Sequence, residues 1–110
     1  MHNVIDYINV SRERYVEELK ALLAIPSISA LPGHAADVRR CAGWCADEMR
    51  RVGLEHVQLM ETPGNPVVYG DWLGAAGAPT ILFYGHYDVQ PVDPIDLWES
   101  PPFDATVRDG

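Results

Sequence analysis

The chain has 110 residues and a formal net charge of -8, with 16 acidic side chains against only 8 basic ones. A chain of this length fits one small domain with a modest hydrophobic core. So few Lys and Arg residues form no basic stripe that could neutralise phosphates, which argues against nucleic acid or an anionic membrane as a partner.

The two cysteines, Cys41 and Cys45, are too few for a disulfide framework. Their four-residue spacing in a helical pattern favours burial as small apolar side chains, with a metal clip that includes His34 as the alternative. The first residues predict no signal peptide, and no run approaches the roughly 20 apolar residues that cross a bilayer. We therefore expect a reduced, cytoplasmic location.

The first predicted element is an amphipathic helix. Apolar side chains recur at steps of three and four residues from Ile5 to Leu23, and Pro26 ends the pattern. A second helix is predicted from about Ala35 to the stop signal at Gly53. Its apolar face comprises Val38, Cys41, Ala42, Cys45, Met49 and Val52. The loop between the helices is predicted to bury Ile25, Ile28 and Leu31.

The second half of the chain predicts strands. Residues 56–60 and 67–73 flank a turn rich in Pro and Gly, which indicates an antiparallel hairpin. The continuous apolar run over 80–84 is typical of a strand covered on both faces. Helices followed by strands predict an α/β sandwich. Residues 90–110 are rich in Pro and Asp and predict a long loop anchored by two aromatic side chains, Trp98 and Phe103.

His86 and Asp88 follow the apolar run directly, in the stretch FYGHYDVQP. Side chains two residues apart on a strand point to the same side, so both are predicted at the carboxyl edge of the strand, where α/β sheets bind ligands. A neutral imidazole is a common zinc ligand, and its other ring nitrogen normally donates to a carboxylate. The pair therefore predicts a metal site.

Two other interpretations of His86 stay open from the residues alone. A histidine at a strand end is often only a hydrogen-bonded polar residue. A serine hydrolase triad is the second alternative, with Ser27, Ser29 or Ser100 as the nucleophile, although the chain has no G-x-S-x-G motif.

The stretch PTILFYGHYDVQPVDPIDLWESPPFDATVRDG resembles the first metal-binding motif of a zinc-dependent metallopeptidase family. That family comprises aminoacylases, acetylornithine deacetylases, glutamate carboxypeptidases and dipeptidases. The HYDVQP sequence is similar to that of its dipeptidase branch. Upstream, EELKALLAIPSIS resembles the family's first helix and the loop after it. The resemblance implies a three-layer α/β/α sandwich with a mixed sheet.

Carried over by position, the resemblance implies that His86 binds one of two zinc ions and that Asp88 holds and tunes this histidine. It implies a dinuclear site that hydrolyses dipeptides or short peptides, with N-acyl amino acids as alternative substrates, and a homodimer. Ligand type alone leaves manganese and cobalt close to zinc.

The resemblance implies that the further ligands and the general base lie downstream of this motif, beyond Gly110. We therefore expect residues 1–110 to be the amino-terminal part of a catalytic domain, without its dimerisation domain and inactive alone. The run over 80–84 is then expected to be exposed, because its sheet neighbours are missing. A non-catalytic truncated or interaction protein is the alternative.

Overall fold

The computed structural model describes residues 2–110, which form two compact units. One unit is built from residues 2–25 and Val92–Gly110, and the other from Pro26–Pro91. None of the helices in the described residues is long and apolar enough to cross a bilayer.

In the first unit, the predicted single helix is two helices, α1 (His2–Val10) and α2 (Arg12–Leu23). They are separated at Ser11, whose φ of -98° and ψ of 3° leave the helical region. The Ser11 amide donates to the carbonyl oxygens of both Tyr7 and Ile8. Because the apolar spacing continues across Ser11, the pattern alone does not reveal the break. The apolar stripe stays largely exposed, including half of the surface of Ile5.

Residues 92–110 of the same unit are irregular apart from a 3₁₀ turn at Ile95–Leu97. The Trp98 indole Nε1 donates to the carbonyl oxygen of Val92 at 2.8 Å. Trp98 therefore ties this loop to itself, and Phe103 is half-buried. The long loop is as predicted, but the anchoring predicted for Trp98 is only local, because its side chain is 51% exposed and bonds within the loop.

The second unit is organised around α3 (Ala35–Arg51), against which both strands pack. Its buried face consists of Val38, Cys41, Ala42 and Ala46. Cys41 is fully buried and Cys45 half-buried, both as free thiols, and burial raises the pKa of Cys45 to about 11. In the preceding loop Ile28 is buried as predicted. The predictions for Leu31 and Val52 are wrong, since these side chains are 41% and 63% exposed. Leu31 directly follows the turn at residues 29–30, and Val52 lies in the turn that ends α3.

The predicted stop at Gly53 is confirmed. Gly53 has a φ of 92°, its amide donates to the carbonyl oxygen of Arg50, and the Leu54 amide donates to that of Met49. These two hydrogen bonds form a Schellman motif, which closes a helix with a left-handed residue, usually glycine.

Replacing one glycine inside α3 and one after it with alanine should therefore change the free energy of unfolding in opposite directions. Gly53→Ala should lower the free energy of unfolding by about 1 kcal/mol, because a Cβ disfavours positive φ. Gly43→Ala is the matched control. It lies inside α3, where an added Cβ would meet no atom within 4 Å apart from its chain neighbours and the helix backbone, so it should raise stability by up to about 1 kcal/mol. Urea unfolding measures both, and equal shifts would contradict the Schellman assignment.

The predicted hairpin is confirmed as β1 (Glu55–Met60) and β2 (Val67–Asp71), paired antiparallel. The pairing shifts by one residue near its start, where His56 adopts a left-handed φ of 51°. The turn is closed by Thr62, whose hydroxyl donates to the carbonyl oxygen of Asn65 and accepts from the Gly64 amide.

Residues 80–84 form no strand in the part of the chain that the structure describes. Exposure rises from 73% at Ile81 to 94% at Tyr84, so the expected apolar surface is present and the prediction of a strand covered on both faces is wrong for this chain. A strand of this kind is buried only when neighbours from elsewhere cover it, and the sheet here has two strands. The α/β class is confirmed.

Candidate metal centre

His86 and Asp88 lie on an extended segment of the second unit and contact each other directly. The imidazole Nδ1 of His86 is 2.9 Å from the carboxylate Oδ1 of Asp88 and 3.0 Å from the Asp88 carbonyl oxygen. The His86 side chain is 76% exposed and that of Asp88 39% exposed. The imidazole is thus tethered at one nitrogen and open to solvent elsewhere.

The partners of His86 assign its tautomer. A carbonyl oxygen and an ionised carboxylate can only accept, so Nδ1 is the nitrogen that donates to Asp88. In the neutral ring, Nε2 then keeps its lone pair and can accept a proton or bind a metal ion.

Tyr87, between the two, anchors the segment on its other side. Its hydroxyl donates to the carbonyl oxygen of Pro66 at 2.6 Å, next to the start of β2. The Tyr87 carbonyl oxygen accepts from the Ser27 hydroxyl at 2.8 Å and from the Cys41 thiol at 3.4 Å. Burial is the main cause of a raised pKa at Tyr87. These contacts fix the backbone from which His86 and Asp88 project.

The loop before α3 supplies a second set of contacts to the same segment. Ile28 and Val89 form a parallel β-bridge, and the Val89 amide donates to the Ser27 carbonyl oxygen at 3.0 Å. Ser27 and Ile28 are both almost fully buried. The loop therefore holds the chain immediately after Asp88.

Ser29, on this loop, donates its hydroxyl to the Asp88 carboxylate Oδ2 at 2.5 Å. The Ser29 hydroxyl and, after it, the His86 ring lower the pKa of Asp88, which favours the carboxylate. The serine contacts the carboxylate and not the imidazole, so the order is Ser, Asp, His. A nucleophilic triad needs the imidazole next to the serine, which argues against Ser29 in that role.

Ser27 and Ser100 do not fit the nucleophile role either. The Ser27 hydroxyl is buried and donates to the Tyr87 carbonyl oxygen. The Ser100 hydroxyl accepts from the guanidinium of Arg108, within the other unit.

The donor at His86 suits a zinc-type ion chemically, but the described residues supply too few donors to hold one there. The oriented imidazole with a free Nε2 is the form that binds Zn²⁺. Within residues 2–110, however, no group of three close ligand atoms includes His86. This segment therefore offers one direct ligand.

The metal clip considered for the cysteines is not formed by the described residues. His34 Nδ1 instead lies 2.9 Å from Asp37 Oδ2 in the first turn of α3. No group of three close ligand atoms in this part of the chain includes Cys41 or Cys45.

A separate cluster that the sequence did not predict consists of Glu55, His56 and Asp71, whose potential ligand atoms all lie within 4.8 Å of one another. His56 Nδ1 is 2.8 Å from Asp71 Oδ1, and the Tyr69 hydroxyl donates to Asp71 Oδ2 at 2.8 Å. Asp71 raises the pKa of His56, and His56 and then Tyr69 lower the pKa of Asp71. We assign the cluster to an ion pair that joins the ends of the hairpin, with His56 68% exposed.

Sequence reasoning placed His86 and Asp88 together but missed the contacts of Ser27 and Ser29 with their segment. The stretch IPSIS carries no clear signal for these contacts, because the neighbouring Ser27 and Ile28 are both buried and the side chains do not alternate between a buried and an exposed face.

Comparisons with known proteins give relatives over most of this chain. It is 31% identical over 110 residues to the Cys-Gly metallodipeptidase DUG1 of Candida albicans, which covers 89% of this chain and 23% of that protein. It is 31% identical over 100 residues to the cysteinylglycine-S-conjugate dipeptidase of Corynebacterium striatum, with shares of 91% and 22%. It is 28% identical over 122 residues to the human beta-Ala-His dipeptidase, with shares of 100% and 24%.

The fold also has a solved counterpart, the dipeptidase Dug1p of Saccharomyces cerevisiae. The TM-score is 0.87 at 23% sequence identity, over 96% of this chain and 24% of that one. No protein-family model matches the sequence. The chain therefore spans about a quarter of the length of the relatives it matches.

Proposed function

Because this chain is related to the metallodipeptidases in sequence and matches one of them in fold, we propose that it contributes a metal ligand to the catalytic site of such an enzyme. In this proposal His86 is the ligand, through Nε2, and Asp88 orients it. The observation that carries the proposal is the pairing of His86 Nδ1 with the Asp88 carboxylate at 2.9 Å, which leaves Nε2 free.

The proposed reaction is hydrolysis of the amide bond of a dipeptide or short peptide. A relative's name specifies Cys-Gly and another's beta-Ala-His, which supports dipeptides as the substrate class rather than N-acyl amino acids. A bound zinc-type ion supplies Lewis-acid polarisation of the scissile carbonyl. Zinc is proposed from the resemblance, with manganese and cobalt as alternatives.

The roles of this chain's residues follow from their contacts. Asp88 keeps the ring proton on Nδ1, so the lone pair of Nε2 points away from the carboxylate and toward solvent. A negative partner also makes the imidazole a stronger donor. The Tyr87 contacts with Pro66 and Ser27 hold both side chains at fixed positions on the backbone.

We also propose that residues 1–110 form part of a catalytic domain and do not hydrolyse peptides alone. Among the described residues no group of three close ligand atoms includes His86, whereas a dinuclear site needs ligands for two ions. The homodimer and the cytoplasmic location implied by the resemblance and by the cysteines stay predictions. A non-catalytic interaction protein is the second candidate, favoured by the exposed run at residues 81–84.

Zinc titration of the ¹⁵N-labelled chain, followed through the histidine ring nitrogens, tests the ligand role. We expect weak binding in which the ¹⁵N resonance of His86 Nε2 is the first to shift, because its ring is oriented. Nδ1 should stay bonded to Asp88. His86→Gln is the control and should remove that response. A response confined to His34 or His56, or a nanomolar affinity independent of His86, would contradict the proposal.

A further inference from the structure

The carboxylate of Asp88 is held at both of its oxygens. Oδ1 accepts from Nδ1 of His86 at 2.9 Å, and Oδ2 accepts from the Ser29 hydroxyl at 2.5 Å. A carboxylate turns about its own Cβ–Cγ bond, so fixing one oxygen also fixes the direction of the other. The Ser29 hydroxyl thereby acts on the imidazole through Asp88, without touching the ring.

The backbone that carries Ser29 is tied to the segment on which it acts. On the side before Ser29, Ile28 forms its β-bridge with Val89, and the Ser27 carbonyl oxygen accepts from the Val89 amide. On the side after it, the Leu31 amide donates to the Ile28 carbonyl oxygen at 3.2 Å. The position of the Ser29 hydroxyl relative to Asp88 is set by these backbone contacts.

We propose that Ser29 is a positioning residue that locks the Asp88 carboxylate and, through it, holds His86 in the tautomer with the proton on Nδ1. A carboxylate held only by the imidazole can rotate away and accept from water instead. The ring then keeps only the weaker, uncharged acceptor at the Asp88 carbonyl oxygen, 3.0 Å from Nδ1. Its proton therefore moves more readily to Nε2, the nitrogen with which it would bind a metal ion. The effect on the ring stands by itself, whereas its consequence for metal binding rests on the proposed function.

The test compares Ser29→Ala with Ser29→Thr, which keeps the hydroxyl, and with Ser100→Ala as a matched control. Ser100 also makes one side-chain hydrogen bond with a charged partner, Arg108, but lies in the other unit. The first readout is the ratio of the two neutral His86 tautomers, from ring ¹⁵N shifts of the metal-free chain above the pKa of imidazole. Amide spectra report whether each variant keeps its fold.

We expect Ser29→Ala to lower the ratio of Nδ1–H to Nε2–H tautomer at least threefold. Ser29→Thr should restore the ratio to within about twofold, and Ser100→Ala should leave it unchanged. The second readout is the zinc dissociation constant from the His86 ring shifts. Outer-shell changes typically cost 10–100-fold in metal affinity, so we expect an increase of about 10-fold in Ser29→Ala.

The outcomes separate this inference from the proposed function. An unchanged tautomer ratio in folded Ser29→Ala would overturn the positioning role, as would a fall that threonine does not restore. If zinc leaves the His86 ring unaffected in the unmodified chain, the proposed ligand role fails, and the metal-free tautomer ratio still decides the role of Ser29. A shifted ratio with an unchanged zinc constant would refute the link to metal binding.

Discussion

Replacing His86 with alanine is expected to remove bound metal and dipeptide hydrolysis together, a result that rests on the proposed function and is measured in a longer protein that contains this segment. The imidazole is the only group of the segment with a free, oriented nitrogen. Activity should fall by more than about 100-fold, because loss of a direct ligand should exceed the roughly 10–100-fold cost of losing an outer-shell partner. Metal content by atomic absorption and turnover of Cys-Gly measure the two effects.

The neighbouring Asp88→Asn variant separates holding the ring from binding the ion. Asparagine keeps the shape but loses the charge, so we expect turnover to fall by about 10–100-fold while part of the metal is retained. His56→Ala is the control, because it removes an exposed imidazole that pairs with Asp71 on the hairpin. Full metal loading in His86→Ala, or equal losses in His56→Ala, would rule out His86 as a specific ligand.

The largest expected effect on stability comes from Ile28→Ala. Ile28 is 3% exposed and forms the bridge to Val89 that holds the segment after Asp88. Truncating a buried isoleucine to alanine typically costs about 2–5 kcal/mol, because apolar contact is lost and a cavity stays behind. We expect about 3 kcal/mol of destabilisation, measured by urea unfolding of the chain.

Leu31→Ala is the matched control on the same loop, since Leu31 is 41% exposed. Truncating the Leu31 side chain should lower the free energy of unfolding by about 1 kcal/mol, in proportion to the smaller apolar area that it buries. Similar costs for the two variants would mean that the loop is not fixed through Ile28. In that case the contacts of Ser27 and Ser29 with the His86 segment would also need another explanation.

Local patterns predicted the elements whose partners lie nearby in the chain. The helix from Ala35 ends at Gly53 because a left-handed residue closes it, and this depends on one glycine and its neighbours. The hairpin depends on two short strands and the turn between them. The break at Ser11 was not predicted, because apolar spacing records which face is apolar and not whether the backbone stays helical.

The candidate site was predictable only where its residues are close together in the chain. His86 and Asp88 are two residues apart, so the extended backbone brings their side chains together without help from the rest of the fold. Ser27 and Ser29 lie about 60 residues earlier. Nothing in the spacing of a serine indicates which distant carboxylate or carbonyl group it will meet.

The amino-acid sequence by itself determined the α/β class, the hairpin, the end of α3 and the pairing of an imidazole with a carboxylate, because each arises from residues close together in the chain. Only the tertiary structure decided that the loop before α3 clamps the segment 86–89 and that Ser29 takes the second oxygen of Asp88. It also decided that residues 80–84 lie exposed, since burial depends on which other segments are present to cover an apolar strand.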